Sequence, residues 1–192
     1  MMKLILSSCD FRNAESREVI LASLPKPVGV CRLLFIPNEK ATADKIRSGR
    51  YHARMEEFGF SRENVFVFDE TRAGDFCNLD LDVLYISGGN TFAILDKLRR
   101  SGFDREIVRY VRAGVTYIGG SAGAHIASRS VAHVARYDEP PAHMTDFRGL
   151  GLFDGILLCH FTPERTAHRD QLIAENACPM YTLADNESIV IG

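Results

Sequence analysis

The sequence predicts an α/β protein built around a mainly parallel sheet. Short apolar runs of strand length alternate along the chain with longer amphipathic stretches. Most of the short runs are almost continuously apolar, which is typical of strands covered on both faces. Strands that alternate with helices of about 10 to 15 residues form βαβ units with right-handed crossovers. The chain has 192 residues, enough for one domain with a sizeable core, so we expect a single domain over residues 1–192.

Seven apolar runs predict the strands of this sheet. The fifth run stops at a Gly-Gly pair and the sixth stops at a histidine, so both end next to residues that can carry chemistry. The predicted strands are residues 3–8, 31–37, 64–69, 82–89, 115–120, 155–160 and 188–192.

Helical patterns fill the space between several of these runs. Residues 41–60 hold apolar side chains among charges, and residues 103–114 repeat an apolar face before a glycine. In the stretch 90–102, Asn90 or Thr91 is a good N-cap, and basic residues followed by a glycine mark the end. The polar segment 137–150 contains two prolines and predicts a long functional loop.

Composition excludes several classes of protein. The formal net charge of −2 provides no general attraction to nucleic acid or to an anionic membrane. Five cysteines without a CxxC pair argue against a disulfide framework or a structural zinc site and favour a reducing compartment. No apolar run approaches 18 residues, and the opening residues are typical of a strand rather than a signal peptide. We therefore expect a cytoplasmic protein without a nucleic-acid or membrane partner.

The stretch "TYIGGSAGAH" carries the strongest catalytic signal. Ser121 is the central residue of a G-x-S-x-G motif between Gly119 and Gly123, after a predicted strand and before a predicted helix at 122–128. Such a strand-to-helix turn strains the serine backbone, exposes its hydroxyl and needs small neighbours. The free N–H groups at the start of the helix can hold an oxyanion. The alternatives are a tight turn that needs its glycines only for packing, or a phosphate-binding turn.

A nucleophilic serine needs a base, and His160 is the best candidate among the six histidines. It ends the run "GILLC", and the carboxyl end of a strand is the edge at which sites form in an open parallel sheet. A purely structural histidine is the alternative. The chain has no HExxH motif and no sequence cluster of cysteine and histidine, so we expect no metal ligation. The remaining histidines are His52, His125, His133, His143 and His168.

The base in turn needs an acid to orient it. Four acidic residues lie between Ser121 and His160: Asp138, Glu139, Asp146 and Asp154. Asp138 and Glu139 occupy the irregular segment after the elbow helix, and either gives the chain order serine, acid, histidine. Both are equally compatible with solvated loop charges, so spacing alone leaves the acid open.

The stretch "ISGGNTF" is a second candidate site element. A strand ends in Gly88 and Gly89, and a capped helix begins at Asn90 or Thr91. Glycines here let backbone N–H groups approach a ligand closely, so this turn together with the N–H of Ala122 can form an oxyanion hole. A phosphate or dinucleotide turn is the alternative, although the G-x-G-x-x-G spacing and a G-K-[ST] sequence are both absent.

Taken together, "YISGGNTFAILDKLR", "YIGGSAGAH" and "LLCHFT" resemble the S51 serine peptidases of the dipeptidase E (aspartyl dipeptidase) group. The resemblance covers nearly the whole chain, since "LPKPVGVCRLLFIP" and "LADNESIVI" are also similar to family segments. It implies a flavodoxin-like, three-layer α/β fold similar to class I glutamine amidotransferase domains. It also implies hydrolysis of dipeptides with an N-terminal aspartate, without a metal or organic cofactor.

The resemblance also implies roles for individual residues. Ser121 matches the nucleophile, His160 the general base and Asp138 the acid, with Glu139 still open. Gly89 and Ala122 match the oxyanion hole, and Gly88 and Asn90 lie where substrate binds. Arg169 matches the cation that selects the aspartate, with Arg165 as a competitor. The loop between His160 and Arg169 is shorter than in the enterobacterial-type enzymes, which puts strict aspartate specificity in doubt.

Three other functions stay open on the sequence. An α/β-hydrolase esterase uses the same motif, although its histidine usually lies nearer the C-terminus. A cyanophycinase-like enzyme shares the elbow and cuts aspartyl-arginine polymers. A non-catalytic flavodoxin-like binding domain with a vestigial elbow would leave the serine unreactive. For the enzyme, we expect a small peptide substrate and a monomer or homodimer.

Overall fold

The computed structural model describes residues 2–192 and contains a six-stranded sheet as its centre. The strand order is β3-β2-β4-β5-β1-β8. Strands β1 to β5 are parallel, and β8 runs antiparallel to β1 at one edge. The strands are β1 (Leu4–Ser7), β2 (Leu33–Ile36), β3 (Val65–Val67), β4 (Val83–Ile86), β5 (Thr116–Gly120), β6 (Ile156–Cys159), β7 (Met180–Leu183) and β8 (Ser188–Ile191).

Helices cover both faces of this sheet and bury a separate apolar cluster on each side. Buried side chains of α4, α5 and α6 form the core of one face, and α1 and α3 contribute to the core of the other. This arrangement confirms the predicted α/β class with a mainly parallel sheet. The helices are α1 (Ala14–Ala22), α2 (Ala43–Arg47), α3 (Arg50–Glu57), α4 (Thr91–Arg100), α5 (Phe103–Arg112), α6 (Ala122–Ala127) and α7 (Thr166–Glu175).

Two details differ from the sequence-based expectation. Residues 41–60 form two helices because Gly49 adopts the left-handed conformation, with φ of 76°, and separates α2 from α3. The predicted strand at 155–160 does not join the central sheet. It forms a two-stranded parallel sheet with β7, which the apolar pattern did not predict because three of the four β7 residues are only half-buried.

The register of the central strands brings the ends of β1, β4 and β5 to one edge. Ser7 at the end of β1 is paired with Gly120 at the end of β5, and Ile86 at the end of β4 is paired with Gly119. Since these strands are parallel, the turns that follow them meet at the same carboxyl edge. Within residues 2–192, no helix combines the length and the apolar character needed to cross a bilayer.

Candidate active site

Ser121 lies at a strained turn between β5 and α6. Its backbone has φ of 45° and ψ of −102°, a conformation that L-residues rarely adopt. The turn is held on both sides: the N–H of Ser121 donates to the carbonyl of Ser7 at 2.8 Å, and its carbonyl accepts from the N–H of His125 at 3.0 Å. The serine therefore has the backbone strain and the strand-to-helix context of a nucleophile elbow.

The glycines of the motif are needed for close packing of this turn. A Cβ on Gly119 would lie 2.7 Å from the carbonyl carbon of Gly123. A Cβ on Gly123 would overlap the carbonyl oxygen of Ile86 in the neighbouring strand β4. Both contacts are with backbone, which cannot move aside cheaply, so the elbow excludes larger residues at these two positions.

His160 follows β6 and hydrogen-bonds to the serine. Nε2 of His160 lies 2.8 Å from Oγ of Ser121. The histidine has a φ of 55°, and its backbone N–H donates to Oγ of Ser8 at 2.8 Å. The structure thus brings together the serine and the histidine that the sequence analysis selected, within hydrogen-bond reach.

The carboxylate beside His160 belongs to Asp185 in the turn after β7. Oδ1 of Asp185 lies 2.6 Å from Nδ1 of His160. This hydrogen bond is the main cause of a lowered Asp185 pKa, because it favours the ionised carboxylate. The backbone carbonyl of Asp185 accepts from Nδ2 of Asn13 at 2.7 Å, which fixes the turn.

Asp138, the expected partner of His160, lies elsewhere. Its Oδ2 accepts a hydrogen bond from the backbone N–H of Thr91 at 2.8 Å, at the start of α4. The backbone carbonyl of the alternative acid, Glu139, accepts from Nδ2 of Asn90 at 3.1 Å. Asp185, and not the expected Asp138, is therefore the carboxylate in contact with His160. Asp185 was not expected from the sequence because it follows His160, outside the interval between the serine and the histidine.

The turn after β4 packs directly against Ser121. A Cβ on Gly88 would lie 3.3 Å from Cβ of Ser121. A Cβ on Gly89 would lie 2.8 Å from Cβ of Asn38, so the backbone there is closely packed. Ala122 begins α6, and the N–H of a first helical residue has no intrahelical acceptor. Asn90 caps α4, since its Oδ1 accepts from the N–H of Ala93 at 2.8 Å.

The three arginines near this edge have different partners. Arg169 forms an ion pair with Asp170 at 2.7 Å, and Arg165 donates to the carbonyl of Cys159 at 2.8 Å. Arg12, which the sequence analysis did not select, follows β1. Its Nη2 lies 3.5 Å from the position of a Cβ on Gly88. Cβ of Ser121 lies 3.3 Å from the same position, so both side chains lie close to Gly88. Arg12 also pairs with Asp10, with Nε 3.8 Å from Oδ1.

His125 is buried and connects the elements that surround the serine. Its Nε2 accepts from the backbone N–H of Cys159 at 3.2 Å, next to His160. Its Nδ1 lies 3.5 Å from Oγ1 of Thr91. Burial lowers the pKa of His125 well below its usual range. The ring is therefore neutral, with Nδ1 as donor and Nε2 as acceptor, and it joins the backbone of Cys159 to the side chain of Thr91.

The fold and these contacts define an α/β protein with a serine at a nucleophile elbow and a histidine in contact with it. The chain belongs to peptidase family S51, whose family model matches residues 3–192. It is 33% identical over 115 residues to an uncharacterized peptidase of Listeria innocua, covering 57% of this chain and 55% of that protein. It is 32% identical over 128 residues to peptidase E of Streptomyces coelicolor, covering 66% of this chain and 49% of that protein.

The chain thus spans about half the length of these two curated relatives. A crystal structure of a peptidase E candidate from Listeria monocytogenes EGD-e superposes with a TM-score of 0.74 and 24% sequence identity. The superposition covers 100% of this chain and 94% of that one. This similarity supports the α/β fold across the whole chain.

Proposed function

We propose that this chain is a serine peptidase that cleaves short peptides through an acyl-enzyme intermediate, with Ser121, His160 and Asp185 as its triad. The observation that carries the proposal is the continuous line of hydrogen bonds from Ser121 Oγ to His160 Nε2 at 2.8 Å and from His160 Nδ1 to Asp185 Oδ1 at 2.6 Å. Membership of family S51 and relatives named peptidase E support the same conclusion.

Each residue has a defined part in the reaction. Asp185 accepts a hydrogen bond from the Nδ1–H of His160, so the proton stays on Nδ1 and Nε2 carries a lone pair that can take the hydroxyl proton of Ser121. Oγ then attacks the peptide carbonyl, and the backbone N–H of Ala122 and the Gly88-Gly89 turn stabilise the oxyanion. The protonated Nε2 gives its proton to the leaving amine, and water releases the acyl group by the same route.

We further propose a preference for dipeptides with an N-terminal aspartate. Selection of that side chain needs a cation, and two arginines are candidates. Arg169 matches the family's cation by resemblance, but its side chain pairs with Asp170 at 2.7 Å. Arg12 is the other candidate, because its guanidinium and Ser121 both lie close to Gly88, and its ion pair with Asp10 is longer, at 3.8 Å. A monomeric or homodimeric state and a cytoplasmic location belong to the same proposal.

The first experiment is amino-acid release from Asp-Leu, Glu-Leu, Asn-Leu and Ala-Leu by the wild type and by Ser121→Ala. Aspartate-selective release that is lost in the variant supports the proposal. Equal rates on Asp-Leu and Ala-Leu would contradict the preference and leave the peptidase reaction intact. Labelling by a serine-directed fluorophosphonate, absent in Ser121→Ala, separates a reactive elbow from a binding domain. Digestion of an aspartyl-arginine polymer would favour the cyanophycinase-like alternative.

A further inference from the structure

Cys9 lies beside the His160–Asp185 pair, and the proposed hydrolysis does not use its thiol. Cys9 follows β1, and its Sγ is 4.0 Å from Nδ1 of His160. One potential ligand atom from each of these three residues lies within 4.8 Å of the other two. A thiolate, an imidazole and a carboxylate are the three kinds of side-chain ligand that zinc binds in proteins.

We propose that Cys9, His160 and Asp185 form a reversible Zn²⁺ site that inhibits the enzyme, with water as the fourth ligand. The three residues follow the strands β1, β6 and β7, so only the folded chain brings them together. The inhibitory part of this proposal depends on the proposed function, whereas the binding part does not.

The distances need only a small adjustment to fit a tetrahedral zinc ion. Zinc–ligand bonds of about 2.0 to 2.3 Å place the ligand atoms of such a site about 3.3 to 3.7 Å apart. The Sγ–Nδ1 distance of 4.0 Å is slightly longer than this range. The Nδ1–Oδ1 distance of 2.6 Å is shorter and must widen. The Asp185 side chain is 70% exposed, so its carboxylate has room to rotate and solvent can reach the fourth position.

Zinc binding through Cys9 changes the protonation of its thiol. A coordinating thiol loses its proton outright, so zinc binding releases one proton to solvent.

Coordination through Nδ1 changes the tautomer of His160. The neutral ring gives the Nδ1 lone pair to zinc, and its single proton moves from Nδ1 to Nε2. Nε2 then donates to Ser121 Oγ instead of accepting its proton. The metal-bound histidine cannot act as the general base, so the serine loses its activation without any change in the elbow.

Binding is tested first with zinc alone. Isothermal titration of the wild type should show one high-affinity site, and Cys9→Ala should bind at least tenfold more weakly. Cys9→Ser is a second variant that keeps the side-chain size, and it should show the same loss because a hydroxyl is a poor zinc ligand. Cys178→Ala removes another partly buried thiol outside the cluster and should bind like the wild type. Equal zinc affinity of Cys9→Ser and the wild type would overturn the site.

Inhibition is tested by the rate of fluorophosphonate labelling at Ser121. Zinc should slow labelling of the wild type and of Cys178→Ala at least tenfold, and a chelator should restore it. Labelling of Cys9→Ser with zinc should match its own zinc-free rate. Unchanged wild-type labelling at saturating zinc would overturn the inhibitory role. Absence of labelling in zinc-free wild type would contradict the proposed function instead, while the titration still decides whether the zinc site exists.

Discussion

Nδ1 of His160 and Oδ1 of Asp185 lie 2.6 Å apart, although 25 residues separate them in the chain. The bond joins the turn after β6 to the turn after β7, two adjacent parallel strands. Parallel strands end at the same edge, so their pairing places an acid beside a histidine that precedes it in sequence. The proposed triad therefore has the chain order serine, histidine, acid, whereas the sequence led to the expectation of serine, acid, histidine.

Asp185→Asn should reduce the rate of fluorophosphonate labelling strongly. The amide no longer accepts the Nδ1 proton well, so His160 is held in the wrong tautomer, a change that costs about 10⁴-fold in a comparable triad. The matched control is Asp138→Asn, whose amide oxygen still accepts from the N–H of Thr91. We expect this control to label within about threefold of the wild type. A larger loss in Asp138→Asn than in Asp185→Asn would assign the acid to Asp138.

Ser121→Gly should be more stable than Ser121→Ala. The backbone at this position has φ of 45°, which glycine adopts without the steric cost that a Cβ imposes. Strain of this kind costs on the order of 1 to 3 kcal/mol. Urea unfolding of the two variants measures the difference directly. Equal midpoints would mean that the elbow stores no strain at the serine.

Arg12→Met should lower kcat/KM for Asp-Leu by about 10- to 100-fold, because a hydrogen bond between a cation and a carboxylate contributes about 1.5 to 3 kcal/mol. Ala-Leu should be cleaved at the wild-type rate, since it lacks the side-chain carboxylate. Arg169→Met is the comparison, and it should have a smaller effect because Arg169 pairs with Asp170 at 2.7 Å, more closely than Arg12 pairs with Asp10 at 3.8 Å. An Arg12→Met loss of equal size on Asp-Leu and Ala-Leu would argue against a role in selecting the aspartate. The amide Asp-Leu-NH₂ lacks the C-terminal carboxylate of the dipeptide. Its cleavage by Arg12→Met therefore tests whether Arg12 contacts that carboxylate instead of the aspartate side chain.

The free energy of unfolding should decrease as the pH falls from about 6.5 to about 4. Burial lowers the pKa of His133 to about 4 and that of His125 well below its usual range. The unfolded chain therefore binds more protons in this interval, and each histidine lowers the free energy of unfolding by about 1.4 kcal/mol per pH unit. Denaturant titrations at pH 7.5, 5.5 and 4.5 measure this slope.

The control for this pH dependence is His133→Gln. Nε2 of His133 lies 2.7 Å from the carbonyl oxygen of Leu157, and the glutamine amide can donate to the same oxygen without titrating. The variant should show a shallower decrease in the free energy of unfolding below pH 6.5. The same slope in both proteins would mean that His133 does not titrate on unfolding.

Local sequence predicted most of the central sheet and the elbow because both depend on neighbouring residues. The continuous apolar runs correspond to the buried parallel strands β1 to β5. Of the small residues around Ser121, Gly119 packs against Gly123 within the same turn, while Gly120 and Gly123 approach Asp10 and Ile86. In contrast, β7 was not predicted. It lies in a small sheet where it is only half-buried, so its apolar pattern is weak.

By itself, the sequence determined the fold class, the serine at the strand-to-helix turn and the histidine at a strand end. Each of these is encoded by a short stretch of sequence, through its run of apolar residues or through the small residues around the serine. The tertiary structure alone decided which acid contacts His160, that Arg12 and Ser121 both lie close to Gly88, and that Cys9 joins His160 and Asp185 in one cluster. These contacts join turns that lie far apart in the chain. Strand order and register bring such turns together, and neither can be read from the spacing of residues along the sequence.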